Sequence, residues 1–437
     1  MKQLSYLPTI AAFTLTLAAC GGGSSNSTTP DITQPETIEE KSISLTTYTH
    51  TLCDEQPYQA DIVFHDGAGK PIKITKTNTD GTFSSVIPKD AKHLSILGVA
   101  QENEIDTPMR KISTELNIEQ GGELGRYYFA RPTTSSCSCQ ELQLNVSELT
   151  YLNEGYVLNF ENSRVIPNSS SLARICTSAN TLYFSVTSPD KSEVKAAELT
   201  IADNTQFLSL TNEDFKHPGI AIEDQYSPTA DKLMLLGFKD GTSTKQLPTQ
   251  VKNVTSQTPF YIFPSLTEYN FQYQRAYAES HFDNISIYVT HSARSRINAN
   301  GDYELTALPQ SNTQLGRELL DFSQNINSNY DFSLVDNRYS EVRMNFDFTR
   351  NGQAEFSWSI FGGIKASVPD LSFGSVFPEP SDDIELRRLA LNLSGYEGAP
   401  RDFNAYRAFL NKRHSDKFLK HPEYAKYVYT SITATVD

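Results

Sequence analysis

From residue 41 to its end, this chain repeats its apolar residues every second position far more often than every third or fourth. That period belongs to β-strands, whose side chains alternate between two faces. The sharpest case is residues 268–277, EYNFQYQRAY. There Tyr269, Phe271 and Tyr273 share one face, and Asn270, Gln272 and Gln274 share the other. Met344, Phe346 and Phe348 run into Asn351-Gly352 with the same period, and Phe356 and Trp358 leave it the same way. That is the pattern of a hairpin closed by a tight turn, because Gly and Asn accept positive φ. Asn300-Gly301, within 285–308, predicts another hairpin, and Asp66-Gly67, Asp80-Gly81 and Asp240-Gly241 mark further turns. Ile72 and Ile74 alternate with lysines, as a half-buried strand should. One helix is predicted. Asp402 can cap it, Phe403, Tyr406 and Leu410 recur at helical spacing with Phe409 beside them, and Pro422 punctuates its continuation. The run 427–436, YVYTSITATV, reads as a final strand.

The chain has 437 residues. At about 150 residues per domain, this length suggests roughly three domains. The expected division is a signal peptide at 1–19, a lipidated cysteine with a flexible tether at 20–40, a first β-sandwich at 41–136, an Ig-like β domain at 137–214, and a larger β-rich region with the helix at 215–437. The expected fold class is therefore mainly β, with tandem β-sandwich domains (Ig-like or transthyretin-like) and a short C-terminal helix. Asp and Glu number 52 against 37 Lys and Arg, a net charge of −15. A nucleic-acid binder needs a basic field, so that class is set aside. No internal repeat of fixed period is present.

The first 20 residues, MKQLSYLPTIAAFTLTLAAC, place Lys2 ahead of an apolar run of 16 residues from Leu4 to Ala19. About 20 apolar residues are needed to cross a bilayer, so the run suits a signal peptide better than a permanent span. Leu17-Ala18-Ala19-Cys20 resembles the lipobox of bacterial lipoproteins. The resemblance implies cleavage before Cys20, a lipid on its sulfur and an acylated amino group. Such an anchor holds firmly without a transmembrane helix. Gly21 follows, where inner-membrane retention in that family usually needs Asp, so the resemblance favours the outer membrane. Residues 21–40 are dominated by Gly, Ser, Thr and Pro, a composition that makes a tether. Its rms reach is near 25 Å by chain statistics.

Removing Cys20 for lipid leaves Cys53, Cys137, Cys139 and Cys176. In an oxidising compartment these four are expected to pair. Cys53–Cys137 with Cys139–Cys176 is the first pairing, and the crossed set stays open beside it. Cys137 with Cys139 is disfavoured, because along a strand their Cα atoms stand near the limit for a disulfide. Paired C-x2–4-C spacing for zinc is missing, as is a redox C-x-x-C. No metal and no cofactor is expected.

The run 60–97 reads as apolar strand, DGAGKPI, Thr-rich strand, TDGTF, Pro, apolar strand. It resembles the carboxypeptidase-regulatory-like, transthyretin-like β-sandwich over about 40 residues, through turn chemistry for the most part. The resemblance implies a small accessory module of exported proteins. It brings no catalytic residues with it.

No assembled catalytic motif stands out. G-x-S-x-G is absent. Ser188-Pro189-Asp190-Lys191 meets S-x-x-K but reads as a turn. The eight histidines are scattered with no metal spacing and are expected at the surface. Asn298, Asn300, Asp302 and Glu304 form an oxygen row that reads as the exposed face of a hairpin rather than a calcium loop. Asp382, Asp383 and Glu385, or Glu102, Glu104 and Asp106, could supply paired carboxylates, but only their separation in space decides that. The aromatic row at 269–273 reads as core rather than as a sugar platform. The segment 401–426 is basic within an acidic chain, with seven cations against three carboxylates. Arg407, Lys412, Arg413, Lys417 and Lys420 are its candidate contacts with anionic lipid or an acidic partner. These features point to an anchored, non-enzymatic binding or structural module that meets an envelope glycan or protein. The alternative is a carboxylate-dependent glycan hydrolase working through Asp382 and Glu385.

Overall fold

The structure is a computed structural model. It describes residues 40–436, apart from 51–54, 102–106, 132–139, 161–162, 165–171, 176–180, 203–204, 241–246, 248, 283–284, 311–314, 316–328, 378–383 and 413–417. The five cysteines, the signal and the tether lie outside the described residues. So do Asp382 and Asp383, and Glu102, Glu104 and Asp106.

The first segment supplies β1 (Ser42–His50), β2 (Glu55–Pro57), β3 (Asp61–His65), β4 (Pro71–Lys76), β5 (Thr82–Val86), β6 (His93–Ala100), β7 (Met109–Glu115) and β8 (Gly122–Ala130). β1 is flanked by β2, β5 and β8 in one sheet, and β4, β3, β6 and β7 are neighbours in another. Ile43 and Leu45 of β1 and Phe129 of β8 pack against Ile62, Phe64, Leu94 and Ile96, which closes a sandwich. Its turns follow their sequence signals. The Asp66 carboxylate accepts from the N–H groups of Ala68 and Lys70, and Asp80 accepts from that of Thr82.

The second segment supplies β9 (Gln140–Asn145), β10 (Val157–Phe160), β11 (Ser163–Arg164), β12 (Leu172–Ile175), β13 (Thr181–Thr187), β14 (Val194–Thr200), β15 (Phe207–Ser209) and β16 (His217–Pro218). Sheets of order β11-β10-β13-β14-β16 and β12-β9-β15 enclose Leu142, Leu158, Leu182, Phe184 and Val186, a second sandwich. Ser188 to Lys191 is the expected turn between β13 and β14, with Lys191 N–H donating to the Ser188 carbonyl.

The remainder supplies β17 (Ile220–Ile222), β18 (Lys232–Phe238), β19 (Gln250–Asn253), β20 (Phe260–Ile262), β21 (Tyr269–Phe282), β22 (Ile285–Ile297), β23 (Asn329–Asp331), β24 (Glu341–Arg350), β25 (Gln353–Gly363), β26 (Lys365–Ser367), β27 (Ile384–Tyr396), helix α1 (Phe403–Asn411) and β28 (Tyr427–Val436). Its long strands run in the order β19-β18-β21-β22-β28-β27-β24-β25, and then continue through β7 into β6, β3 and β4. The joint is a parallel ladder from Phe356↔Arg110 to Phe361↔Glu115. The first segment and the last therefore share one twelve-stranded sheet. Pairing with β25 removes the bare edge that β7 would otherwise present. A buried polar chain crosses the joint: Trp358 Nε1–H donates to Thr114 Oγ1 at 2.9 Å, which lies 2.8 Å from Ser95 Oγ, itself 2.9 Å from His65 Nε2.

Several expectations change. Ile72 and Ile74 are 40% and 42% exposed, because β4 is the outer edge of the sheet and has a neighbour on one side only. Lys73 and Lys76 on that edge discourage pairing with another chain. His65 and His93 are core residues, not surface ones, since β3 and β6 are covered on both faces. The Asn300-Gly301 turn forms, with Asn298 Oδ1 accepting from the N–H groups of Asn300 and Asp302, but residues 303–308 make no strand after it. The hairpin partner of β22 is β21 instead. The polar face of β21 is also buried. Gln274 bonds the Ser227 N–H and the Thr306 carbonyl, and Gln272 donates to the Gln225 carbonyl, so irregular chain answers these groups, while Gln272 Oε1 has no partner among the described residues. Phe271, on the aromatic face, has no exposure and packs with Phe238 and Leu419, as core.

Candidate functional site

α1 lies against β8 and against β25 of the large sheet's joint. The Asp402 carboxylate accepts from the Ala405 N–H at 2.9 Å and opens the helix. Tyr406 and Phe409 then bury against Tyr396 and Tyr424. Arg294, buried in the sheet, sits over the rings of Phe271, Tyr396 and Tyr427 and donates to the Tyr424 carbonyl, which ties the segment after α1 to β22.

Between α1, β8 and the sheet is a cleft of about 310 Å³. It joins four cations, Lys111, Arg126, Arg343 and Arg407, to three carboxylates, Glu115, Glu123 and Glu341, with Tyr127, Tyr128, Phe361 and Phe403 as walls. At its floor Arg407 Nη2 meets Glu115 Oε2 at 2.8 Å, and both side chains are only 9% exposed. Tyr127 donates its hydroxyl to the other oxygen, Glu115 Oε1, at 2.7 Å. Burial, and then the Glu115 charge, push the Tyr127 phenol well above its ordinary range, so it stays a donor. Arg407 also donates to the Leu116 and Asn117 carbonyls and stacks on Phe403. Near the rim Arg126 pairs with Glu55 and lies over Tyr48 and Tyr128. Lys111 donates to the Tyr128 carbonyl, and Arg343 to Asn345. Ser394 donates to Glu341 at 3.2 Å. Across the joint the register reads Glu115, Phe361, Arg343, with Glu341 diagonal to that row. β7 and β24 are thus two strand spacings apart, about 10 Å.

This placement corrects one candidate contact. Arg407 is 8% exposed and faces inward, not toward a surface partner. It borders the apolar stripe of a nine-residue helix, and β7 supplies the counter-charge that lets it bury. Lys412 and Lys420 are exposed, while Arg413 and Lys417 lie outside the described residues. Lys426 is spent on Glu304 and Glu397. Glu385, proposed for catalysis, is exposed on β27. The cleft's own residues Glu115, Tyr127 and Glu341 were not singled out in advance. The usable signal was the row Lys111, Ser113, Glu115 alternating with Ile112, Thr114 and Leu116, a charged face on a strand.

No family model matches this chain, and no curated protein does. Among solved structures, two B repeat units of the collagen-binding protein of Staphylococcus aureus are similar at 10% identity, over 81% of this chain and 92% of that one, with a TM-score of 0.14. At that score the likeness carries no argument about ligand or fold.

Proposed function

We propose that the chain is a cell-envelope lipoprotein, anchored through Cys20 and held off the membrane by residues 21–40, that acts as a non-enzymatic binding or structural module. The outer membrane is its proposed location, envelope glycan or protein its proposed partner, and residues 41–136 its proposed carboxypeptidase-regulatory-like module. The anchor rests on the Leu17-Ala18-Ala19-Cys20 pattern after its apolar run. The module reading is supported by Glu115: the carboxylate at the cleft floor is 7% exposed and is held by Arg407 and Tyr127 as a brace between β7, β8 and α1. A carboxyl working as acid, base or nucleophile needs an oxygen facing its substrate.

Cys20→Ser is expected to move the protein from the membrane to the soluble fraction and to abolish palmitate labelling. Unchanged partitioning would overturn the anchor. The hydrolase reading keeps one supporting observation, Glu123 and Glu341 in a cleft with aromatic walls. Incubation with envelope glycans is expected to release no products. Turnover that disappears in Glu341→Gln would establish the hydrolase instead.

A further inference from the structure

We infer that a second site, the groove between the second sandwich and the β19–β20 region, binds an uncharged saccharide. The inference deepens the reading as a binding module and rests on it.

The groove holds about 360 Å³, a volume suited to a ligand of a few rings, and such sites favour junctions between packed units. One wall is the outward face of the β10-β13-β14 sheet. Register sets Asn159 beside Ser185 and Ser185 beside Ala196, and in the next row Val157, Thr187 and Val194. Leu158, Phe184 and Val186 alternate with these into the sandwich core. The facing wall brings Thr249, Gln250 and Val251 from around β19, and Tyr261 and Phe263 from around β20.

Three properties of this lining select the ligand. First, none of it is charged, although 20% of the chain is. The nearest charges, Lys191 and Lys252 against Thr258 and Glu198 against Tyr183, are already hydrogen-bonded to the lining, so a charged ligand would lose its hydration for charges that are already engaged. Second, the side chains of Asn159, Ser185, Thr187 and Thr249 make no hydrogen bond among the described residues. A lipid tail would bury these donors and acceptors unanswered. Third, the aromatic wall is fixed in place. Gln250 bonds both the N–H and the carbonyl of Tyr261, whose hydroxyl donates to the Lys191 carbonyl at 2.7 Å. Tyr261 and Phe263 are 6% and 8% exposed and pack with Val194 and Ala196, so they give a small, fixed apolar floor, and the free hydroxyls and amide above it match a sugar, which presents C–H groups and hydroxyls together. An extended peptide would have to pair with β19, an edge of four residues, and would leave the hydroxyls of the opposite wall without partners.

The test uses the full chain in detergent micelles on an array of neutral and acidic glycans, followed by calorimetric titration of the best neutral glycan. Neutral glycans are expected to be retained. Ser185→Lys and Thr249→Lys, from opposite walls, are each expected to weaken that binding about tenfold or more with Tm unchanged. Where a lysine lowers Tm, the double substitution Ser185→Ala with Thr187→Val removes the hydroxyls, keeps the shape and carries the same expected loss. Absence of any retained neutral glycan, or equal binding by the variants, overturns the inference. Retention of acidic glycans or peptides alone, insensitive to these substitutions, overturns the saccharide groove and leaves the module reading standing. Turnover of bound glycan overturns the module reading itself.

Discussion

Arg407 and Glu115 are 292 residues apart in sequence and 2.8 Å apart in the fold. Burying either alone would be costly, so each makes the other's position tolerable. Arg407→Ala leaves a buried carboxylate facing Tyr127 and is expected to cost about 3–5 kcal/mol in chemical denaturation. Arg407→Leu combined with Glu115→Leu is expected to cost less, because it removes both charges; a double as damaging as the single would show the pair itself to be the stabilising element. His65 and His93 make a different residue-scale prediction. Burial lowers both pKa values from 6.5 to about 4, against partial compensation from Asp66 for both and from Glu119 for His93. The unfolded chain takes up these protons below about pH 6.5 and the native one only near pH 4. Their contribution is therefore complete above about pH 6.5 and shrinks as pH falls toward 4, at up to about 1.4 kcal/mol per pH unit for each. Urea midpoints at pH 7 and pH 5 are expected to show this fall, and the double variant His65→Gln with His93→Gln a flatter one.

At the scale of single elements, local chemistry carried most of the outcome. Asn351 and Gly352 take φ values of +52° and +76° and close β24 onto β25, as their dipeptide requires. Asp402 caps α1 as its position before Phe403 predicted, and Asp402→Ala is expected to cost about 1 kcal/mol by thermal melting. Asn300-Gly301 shows where such reasoning stops: the turn forms from side chain and backbone alone, but a ladder also needs a partner with room beside it. β21 has that place at β22. The four remaining cysteines are an element-scale question too. Non-reducing peptide mapping decides it: the first expected set, Cys53–Cys137 with Cys139–Cys176, gives two linked pairs and no free thiol, and the crossed set gives two different links.

In the molecule as a whole, the last strand is not peripheral. β28 lies between β22 and β27, in the middle of the twelve-stranded sheet. Deleting residues 427–437 is therefore expected to unfold the large sheet, seen as loss of the cooperative melt, rather than merely to remove a tail. A surface role for the basic segment is better tested by Lys412→Glu with Lys420→Glu, both exposed. If that role exists, binding to anionic vesicles is expected to fall in the double variant with stability intact; equal binding would confine the segment's charge to internal pairing.

By itself the sequence determined strand period, turn positions, the capped helix and mainly β architecture. Each depends on residues within a few positions of one another, through side-chain alternation, Gly and Asn conformational freedom and a capping carboxylate. Only the tertiary structure decided that β7 pairs with β25, that β28 sits mid-sheet, that Arg407 turns inward, and that one groove is lined by charges of both signs and another by none. Those outcomes depend on which distant strand completes an edge and which distant carboxylate answers a charge, and alternation with period two is the same for every candidate partner.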